Sequence, residues 1–562
     1  MGKLSNKITA IAAGEAHTLA LTGDGSVFSW GRGTFGRLGT GREEDELCPV
    51  PVEFGDASSS SSSMNGSRPK FVGIAAGSYH SLALQDDGSV WSWGYNIYGQ
   101  LGHGEDNTSI PTLVERFQEL GSPDSFSEDI DANREKTPLK VCSIKAGGMM
   151  SLAIDSLGAL WIWGNCPQPS KTNNTKFSLV SSQSPIPVWD FHGYTVVKVA
   201  CGNEHVVAAV SAGEMYTGGD LVCYSWGNNS HGQLGLGDKK DRPRPQVIPS
   251  FNQDTPWAVY EISCGAFHTA VLTQDKSYEQ DIDSKCWTFG LGDNGQLGHG
   301  NTASYFLPEP VGLPQDAILI SVDCGLFHTS VVSITGEVWS WGMEKGLGLC
   351  PDASFSAHDA GDALLPLRIH CTEAIGGKFA GPVQVGCGAA HTILVADDGY
   401  KIWAWGRGRS GVLGRGQVMD SFVPCIAMWP PLNEDFKDEG IKTSYEVKDR
   451  GNEMGKTVEI DEVQHLREKL NVMEQYATVL HISIFRKPFD ERKLPKSLDS
   501  GVFDIMRELE NMMESADTEE LARLEMFYRS MLSSVKDKLM RRRVQEMVKD
   551  CLVSLSRGRQ GY

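Results

Sequence analysis

Seven times along the chain a short apolar stretch ends in an aromatic residue followed by glycine. The pairs are Trp30-Gly31, Trp93-Gly94, Trp163-Gly164, Trp226-Gly227, Phe289-Gly290, Trp341-Gly342 and Trp405-Gly406, with successive glycines 63, 70, 63, 63, 52 and 64 residues apart. A near-constant period of this length marks a repeat architecture, in which each unit buries its apolar face against the next. A second pattern precedes each pair: Gly14-Glu-Ala-His17, Gly77-Ser-Tyr-His80, Gly202-Asn-Glu-His205, Gly265-Ala-Phe-His268, Gly325-Leu-Phe-His328 and Gly388-Ala-Ala-His391. In the third unit Gly147-Gly-Met-Met150 places methionine in the histidine slot.

The second unit displays the local physics. Ile74-Ala75-Ala76 is a short apolar strand, and Gly77 opens a turn where a side chain would crowd the backbone. Ser81 to Leu84 continues as a strand, Asp87-Gly88 is a hairpin signal, and Val90-Trp-Ser-Trp93 is the return strand. Gly94 to Gly102 is then a glycine-punctuated loop with Leu101 as its buried residue. A small antiparallel sheet of this kind cannot bury both faces alone, whereas seven packed radially can.

Gly-x-x-His, Asp-Gly, Trp-Gly and Gly-Gln-Leu-Gly (at Gly99–Gly102, Gly232–Gly235 and Gly295–Gly298) together resemble the regulator-of-chromosome-condensation repeat over residues 8–430. Close variants are Gly36-Arg-Leu-Gly39 and Gly411-Val-Leu-Gly414; the third unit lacks the element and the sixth keeps Gly346-Leu-Gly348. The resemblance implies an all-β, seven-bladed β-propeller across residues 1–432. A Pro-x-x-Val strand such as Pro308-Glu-Pro-Val311 precedes most histidine motifs, yet the first unit has no room for one. The segment 420–430, with Val423-Pro-Cys-Ile-Ala-Met-Trp429, is therefore expected to return to the first blade and close the ring, removing an open sheet edge. The long inserts at Ser58–Ser63, 104–138, 167–190 and 350–378 read mostly as solvated loops, a usual place for partners to dock.

Charge is uneven. Up to Leu432 there are 28 Lys+Arg against 45 Asp+Glu, and beyond it 23 against 26, so the acidity lies in the repeats. An acidic surface repels phosphate backbones, which makes direct DNA binding unfavourable. The thirteen cysteines include no Cys-x-x-Cys pair. Cys201, Cys264, Cys324 and Cys387 stand just before Gly-x-x-His, where Ala13, Ala76 and Ala146 stand in other units, so the slot takes a small buried residue. Free structural thiols point to a reducing compartment, cytoplasmic or nuclear, rather than to secretion. No apolar run has the length of a signal peptide or a membrane span.

Residues 433–457 are polar and aperiodic and read as a linker. Beyond it Val463, Leu466, Leu470, Met473, Ala477, Leu480 and Ile484 recur at alternating spacings of three and four, a short coiled-coil seam. Further helices are expected over 502–515 and from Asp517, with Glu520 placed for a capping box, toward Leu555. This α-helical extension, residues 458–562, reads either as a hairpin packed on itself or the propeller, or as a partner-binding or homodimerising arm.

The tempting chemistry follows the repeat. Gly31–Gly36, Gly290–Gly295 and Gly406–Gly411 match Gly-x-Gly-x-x-Gly, but no helix follows to hold a pyrophosphate. The six histidines belong to different units, so they are expected to tie the strands of their own blades rather than converge on a metal. No catalytic, cofactor or metal constellation can be assembled. The family implies three functions: a non-enzymatic platform for protein partners, guanine-nucleotide exchange on a Ran-type small GTPase, and ultraviolet-B reception. The last would need a Trp-Arg pair within Gly-x-x-His. The Trp slot holds Glu15, Ser78, Gly148, Asn203, Ala266, Leu326 and Ala389, and the Arg slot Ala16, Tyr79, Met149, Glu204, Phe267, Phe327 and Ala390. The reading favours the platform, keeps exchange as the alternative and disfavours light reception.

Overall fold

The structure, a computed structural model, describes residues 7–429 except 56–68, 120–138, 170–176, 192–193, 212–220, 277–283, 315–316, 344–361 and 372–376. The linker, the helical extension and the seam from Val463 to Ile484 lie outside the described residues. The propeller unit spans Met1–Asn433. Its strands form seven antiparallel four-stranded sheets, each built from consecutive strands. Blade 1, for example, comprises Ile8–Ala13, His17–Thr22, Val27–Gly31 and Glu46–Pro51. Blade 7 comprises Gln384–Cys387, His391–Ala396, Lys401–Gly406 and Ser421–Ile426.

The repeated residues occupy the joints between blades. Trp30, Trp93, Trp163, Phe289, Trp341 and Trp405 are completely buried between sheets. The glycine that follows is forced: Gly94 has φ +116°, and a Cβ there would lie 2.5 Å from the Tyr79 carbonyl. The motif's first glycine is needed for a different reason. A Cβ on Gly77 would collide with the His80 ring and the Gly147 carbonyl of the next blade.

Each histidine reaches the next blade, not its own, which corrects the expected intrablade tie. His17 Nε2 lies 2.8 Å from Ser81 Oγ, His80 Nε2 2.8 Å from Ser151 Oγ, and His205 Nε2 3.0 Å from Thr269 Oγ1. His268 and His328 reach Thr329 and Thr392, each at 2.9 Å, and His391 faces Thr18 at 3.5 Å across the seam between last and first blades. Ser81, Ser151, Thr269 and Thr329 donate to the carbonyls of Arg37, Gln100, Gln233 and Gln296 at 2.7–2.9 Å. With its proton so engaged, each of these hydroxyls accepts from the ring, which sets Nε2–H as the donor. Nδ1 of His17, His80, His205, His268 and His328 is buried without a hydrogen-bond partner, so a second proton there would have no acceptor.

The exception in the third unit is paired. Met150 stands where the others have histidine, and the facing residue of blade 4 is Val206 rather than serine or threonine. Both are completely buried in one apolar cluster, so donor and acceptor are replaced together.

Ring closure differs from the expected strand return. Ser421–Ile426 pairs with Lys401–Gly406 as the outer strand of blade 7, and among the described residues no strand crosses to blade 1. The physical reason is that each Pro-containing strand pairs with the Trp-Gly strand before it, so units and blades coincide and none is left incomplete. The seam is held instead by Gln384, whose side chain accepts from Ile11 N at 3.0 Å and donates to Ile11 O at 3.1 Å. Trp30 Nε1 donates to Val412 O at 2.9 Å, and the Trp429 ring meets Phe28 edge-on at 5.0 Å.

Three expected loop inserts contain ordered strands. Thr108–Leu113 and Ala363–Ile369 are outer strands, and Leu160–Pro169 pairs with Phe177–Pro187 as an extended ribbon. Their mixed polar and apolar residues suit strands that pair along one edge and face solvent on the other.

Two outcomes are expected. Met150→His should cost about 2–3 kcal/mol, because its N–H would meet Val206, and adding Val206→Thr should recover much of that loss. Urea midpoints of both single variants and the double would measure this, and simple additivity would contradict the pairing. The second outcome concerns pH. Burial pushes His80, His205, His268 and His328 down to about 3, His391 to about 4, and His17 well below its usual range. The unfolded chain protonates these rings below about pH 6.5 while the folded chain does not, so stability falls as pH drops. Each ring should withdraw up to about 2 kcal/mol by pH 5, and a flat unfolding midpoint between pH 7 and pH 5 would refute the neutral, buried state.

Candidate interaction face

Strand direction places the six Gly-x-x-His turns, the Gly147–Met150 turn and the loops after Trp-Gly at one end of the blades, and the hairpins between second and third strands at the other. The turns interlock around the rim. Glu15 N donates to Gly77 O at 3.3 Å, Ser78 N to Gly147 O at 3.2 Å, Gly148 N to Gly202 O at 3.1 Å and Ala389 N to Glu15 O at 3.1 Å. The loops are anchored from below: Ser29, Ser92, Ser225 and Thr288 donate to the carbonyls of the buried leucines Leu38, Leu101, Leu234 and Leu297 at 2.6–2.7 Å.

Within the loop, the Gln of Gly-Gln-Leu-Gly has a defined task. Its side-chain oxygen accepts the N–H two residues upstream: Tyr98 to Gln100 at 3.0 Å, His231 to Gln233 at 2.9 Å and Asn294 to Gln296 at 2.9 Å. Arginine has no acceptor and valine no polar atom, so Arg37 in blade 1 and Val412 in blade 7 cannot make this tie. In those two loops the upstream residue turns left-handed, Phe35 at φ +65° and Ser410 at φ +58°, whereas Tyr98, His231 and Asn294 stay out of that region.

The Gly-x-Gly-x-x-Gly matches belong to these loops. They run into three-residue 3-10 turns, Thr34–Gly36 and Arg409–Gly411, or into a tight turn after Gly290, and then into outer strands. The imidazoles face neighbouring blades rather than one point. Among the described residues no three His, Cys, Asp or Glu side chains are placed to share a metal ion. The described cysteines are all free, and burial pushes the thiols of Cys201, Cys264, Cys324 and Cys387 upward, toward inertness.

Inner strands line a central cavity of about 530 Å³, with Ala10, Ala12, Gly73 and Ala75 on one side and Lys145, Glu261 and Asp323 on the other. Asp323 braces blades: it accepts Ser263 Oγ–H and Cys387 N–H, both at 2.7 Å, while burial raises its carboxyl above the usual range. Glu261 pairs with Lys198 at 2.6 Å. Asp323 and Glu261 thus each join neighbouring blades of the wall.

The sequence matches the RCC1-like domain over residues 2–269 and the regulator of chromosome condensation (RCC1) repeat over residues 283–332. The chain belongs to the regulator-of-chromosome-condensation repeat family. It is similar to the ultraviolet-B receptor UVR8 of Arabidopsis thaliana, 28% identical over 425 residues, which cover 75% of this chain and 81% of that protein. It is also similar to the human E3 ubiquitin-protein ligase HERC2, 28% identical over 271 residues that span only 5% of that protein. The solved structure of Prp20p from Saccharomyces cerevisiae shares the fold, with a TM-score of 0.55 and 22% identity over 77% of this chain and 89% of that one.

Against the family repeat, two places on this RCC1-type face stand out. In blade 3 the glycine loop is replaced by the ribbon, in which Asn165 to Pro169 pair with Ser181 to Phe177. In blades 1 and 2, Phe35 packs on Tyr95 at 4.5 Å and on Tyr79 at 5.9 Å. Arg37 lies beneath, its guanidinium carbon 4.6 Å from the Tyr79 ring centre, donating to Ser78 O at 3.0 Å and Thr34 O at 2.9 Å. Burial lowers Arg37 to about 10, which still leaves it charged at neutral pH. The seam of Val463 to Ile484, named from sequence as the partner-binding element, lies outside the described residues. The sequence signals the Arg37 cluster only through the departure from Gly-Gln-Leu-Gly at Gly36-Arg-Leu-Gly39.

Ser410→Gly should raise stability by about 0.5–1 kcal/mol, since glycine enters the left-handed region without the Cβ penalty. The same change at Tyr98 should lower it, and chemical unfolding of both variants would check the contrast.

Proposed function

We propose that the protein is a non-enzymatic platform that binds protein partners through the face carrying the Gly-x-x-His turns. One observation carries this reading. The repeated side chains with chemical capability are used up inside the ring, histidine, serine and threonine in blade-to-blade bonds and tryptophan in buried packing, which leaves the varied loops of that face as the surface able to distinguish partners. Light reception is not extended to this chain, since none of its seven turns carries the Trp-Arg pair. Its indoles serve packing, with Trp93 and Trp341 donating to Arg37 O and Gln296 O at 2.9 Å.

Nucleotide exchange on a Ran-type GTPase is the second reading. The blade 3 ribbon favours it, because a paired extension is stiff enough to press on a neighbouring nucleotide site. Prp20p, of like fold, has been described with binding properties to Gsp1p and histones. The test is release of a fluorescent guanine nucleotide from a Ran-type GTPase on adding the purified full chain. The platform reading expects the intrinsic rate. Acceleration that disappears when residues 167–179 are replaced by a short glycine turn would overturn it in favour of exchange.

A further inference from the structure

The loop after Trp-Gly in blade 7, residues 407–420, sets three arginines against Asp420, and its blade 1 counterpart, residues 32–45, sets three arginines against Glu43, Glu44 and Asp45, in an otherwise acidic propeller. Up to Leu432 the balance is 28 Lys+Arg against 45 Asp+Glu, yet these two loops alone hold Arg32, Arg37, Arg42, Arg407, Arg409 and Arg415. The matching loops of blades 2 and 5, residues 95–107 and 291–304, hold no lysine or arginine. Arg42 is paired with Glu46 at 2.8 Å, and Arg37 is buried under Tyr79. Arg32, Arg407 and Arg409 make no ion pair among the described residues, and Arg32 and Arg409 are exposed.

These cations share one rim. Arg32 N donates to Ala16 O at 2.8 Å and Arg407 N to Ala390 O at 2.7 Å, equivalent positions in adjacent blades whose turns are joined by Ala389 N to Glu15 O at 3.1 Å. The turns beside them carry Ala16, Ala389 and Ala390, too small to cover the arginines. Apolar groups flank them: Val418 is 55% and Met419 65% exposed, in the same blade 7 loop as Arg409. Independently, among the described glycine loops these two lack the glutamine tie and turn left-handed at Phe35 and Ser410. Backbone strain held in two adjacent loops, and not in their tied sisters, coincides with the clustered arginines.

We propose that this rim, centred on Arg32, Arg407 and Arg409 with Phe35 and Met419 at its sides, docks an acidic peptide segment bearing apolar anchors from a protein partner. The proposal rests on the platform reading and specifies its partner chemistry. Guanidinium groups without carboxylate partners suit carboxylates, which they can hold in a bidentate fork. The exposed methionine adapts to an aliphatic or aromatic side chain. A nucleic acid fits less well, because Val418 and Met419 stand exposed in the same loop as Arg409 and a sugar-phosphate backbone offers them no apolar anchor.

The test uses the full chain and a fluorescein-labelled peptide of alternating Glu and Asp interrupted by two leucines, followed by anisotropy. Binding should weaken as salt rises from about 50 to about 300 mM. Arg32→Glu with Arg409→Glu should weaken it at least about tenfold, and Met419→Ala by a few-fold, with unfolding midpoints unchanged. The opposite-face reversal Lys70→Glu with Lys140→Glu should have little effect. Absence of binding, equal loss from both reversals, or tighter binding of a single-stranded oligothymidylate of equal charge would each overturn the proposal. GTPase exchange is read in a separate assay: positive exchange refutes the platform, whereas failed peptide binding refutes only this assignment of the rim.

Discussion

The fold depends on a buried relay that crosses every blade boundary but one. An imidazole Nε2–H donates to a serine or threonine hydroxyl of the next blade, which in four of the joints donates to a loop carbonyl of the first. At the joint between blades 1 and 2, His17, Ser81, Trp93 and the Arg37 carbonyl meet in this way. Such bonds are strong in a low-dielectric interior, and an unpaired member is costly, so the partners must change together. Met150 and Val206 show the alternative, an apolar joint on both sides.

Holding the blades from beneath frees the loops above. The turns and glycine loops are pinned by backbone bonds and buried leucines, so outward side chains can vary without disturbing the ring. Variation is concentrated where the pinning itself changes. Blade 3 exchanges its loop for a ribbon, and blades 1 and 7 lose the glutamine tie. Those last two blades also meet at the closure seam, where the His391–Thr18 separation of 3.5 Å is the longest of the six and Gln384 clips Ile11 instead. The exposed arginines lie at this same joint.

Family membership fixes the scaffold and leaves the partner to the loops. A propeller of this kind serves many roles, so the argument for function rests on the site rather than on the fold. Here the face joins stiff backbone, an aromatic cluster over a buried arginine, and exposed cations within an acidic domain.

The repeat was legible because its constraints recur: seven aromatic-glycine joints, six Gly-x-x-His turns and the Asp-Gly hairpins at Asp24, Asp87 and Asp398 each answer a local need. The outer strands were not legible, since Thr108–Leu113, Phe177–Pro187 and Ala363–Ile369 pair along one edge and mix polar with apolar residues. The closure was misread for the same reason, because a Pro-containing strand can be joined equally well to the unit before or after it until the ladder is seen. Gly36-Arg-Leu-Gly39 was visible as a variant, but the stacking of Arg37 under Tyr79 required two blades to be brought together. The sequence by itself determined the number of units, their turns and their buried aromatic joints, since these follow from local backbone geometry and apolar period. Tertiary structure alone decided which blade each histidine serves, because a hydroxyl follows nearly every histidine in its own unit and only packing places the next blade's hydroxyl within reach. It also decided that, among the described residues, the ring closes without exchanging a strand and that the arginines of the first and last blades share one rim.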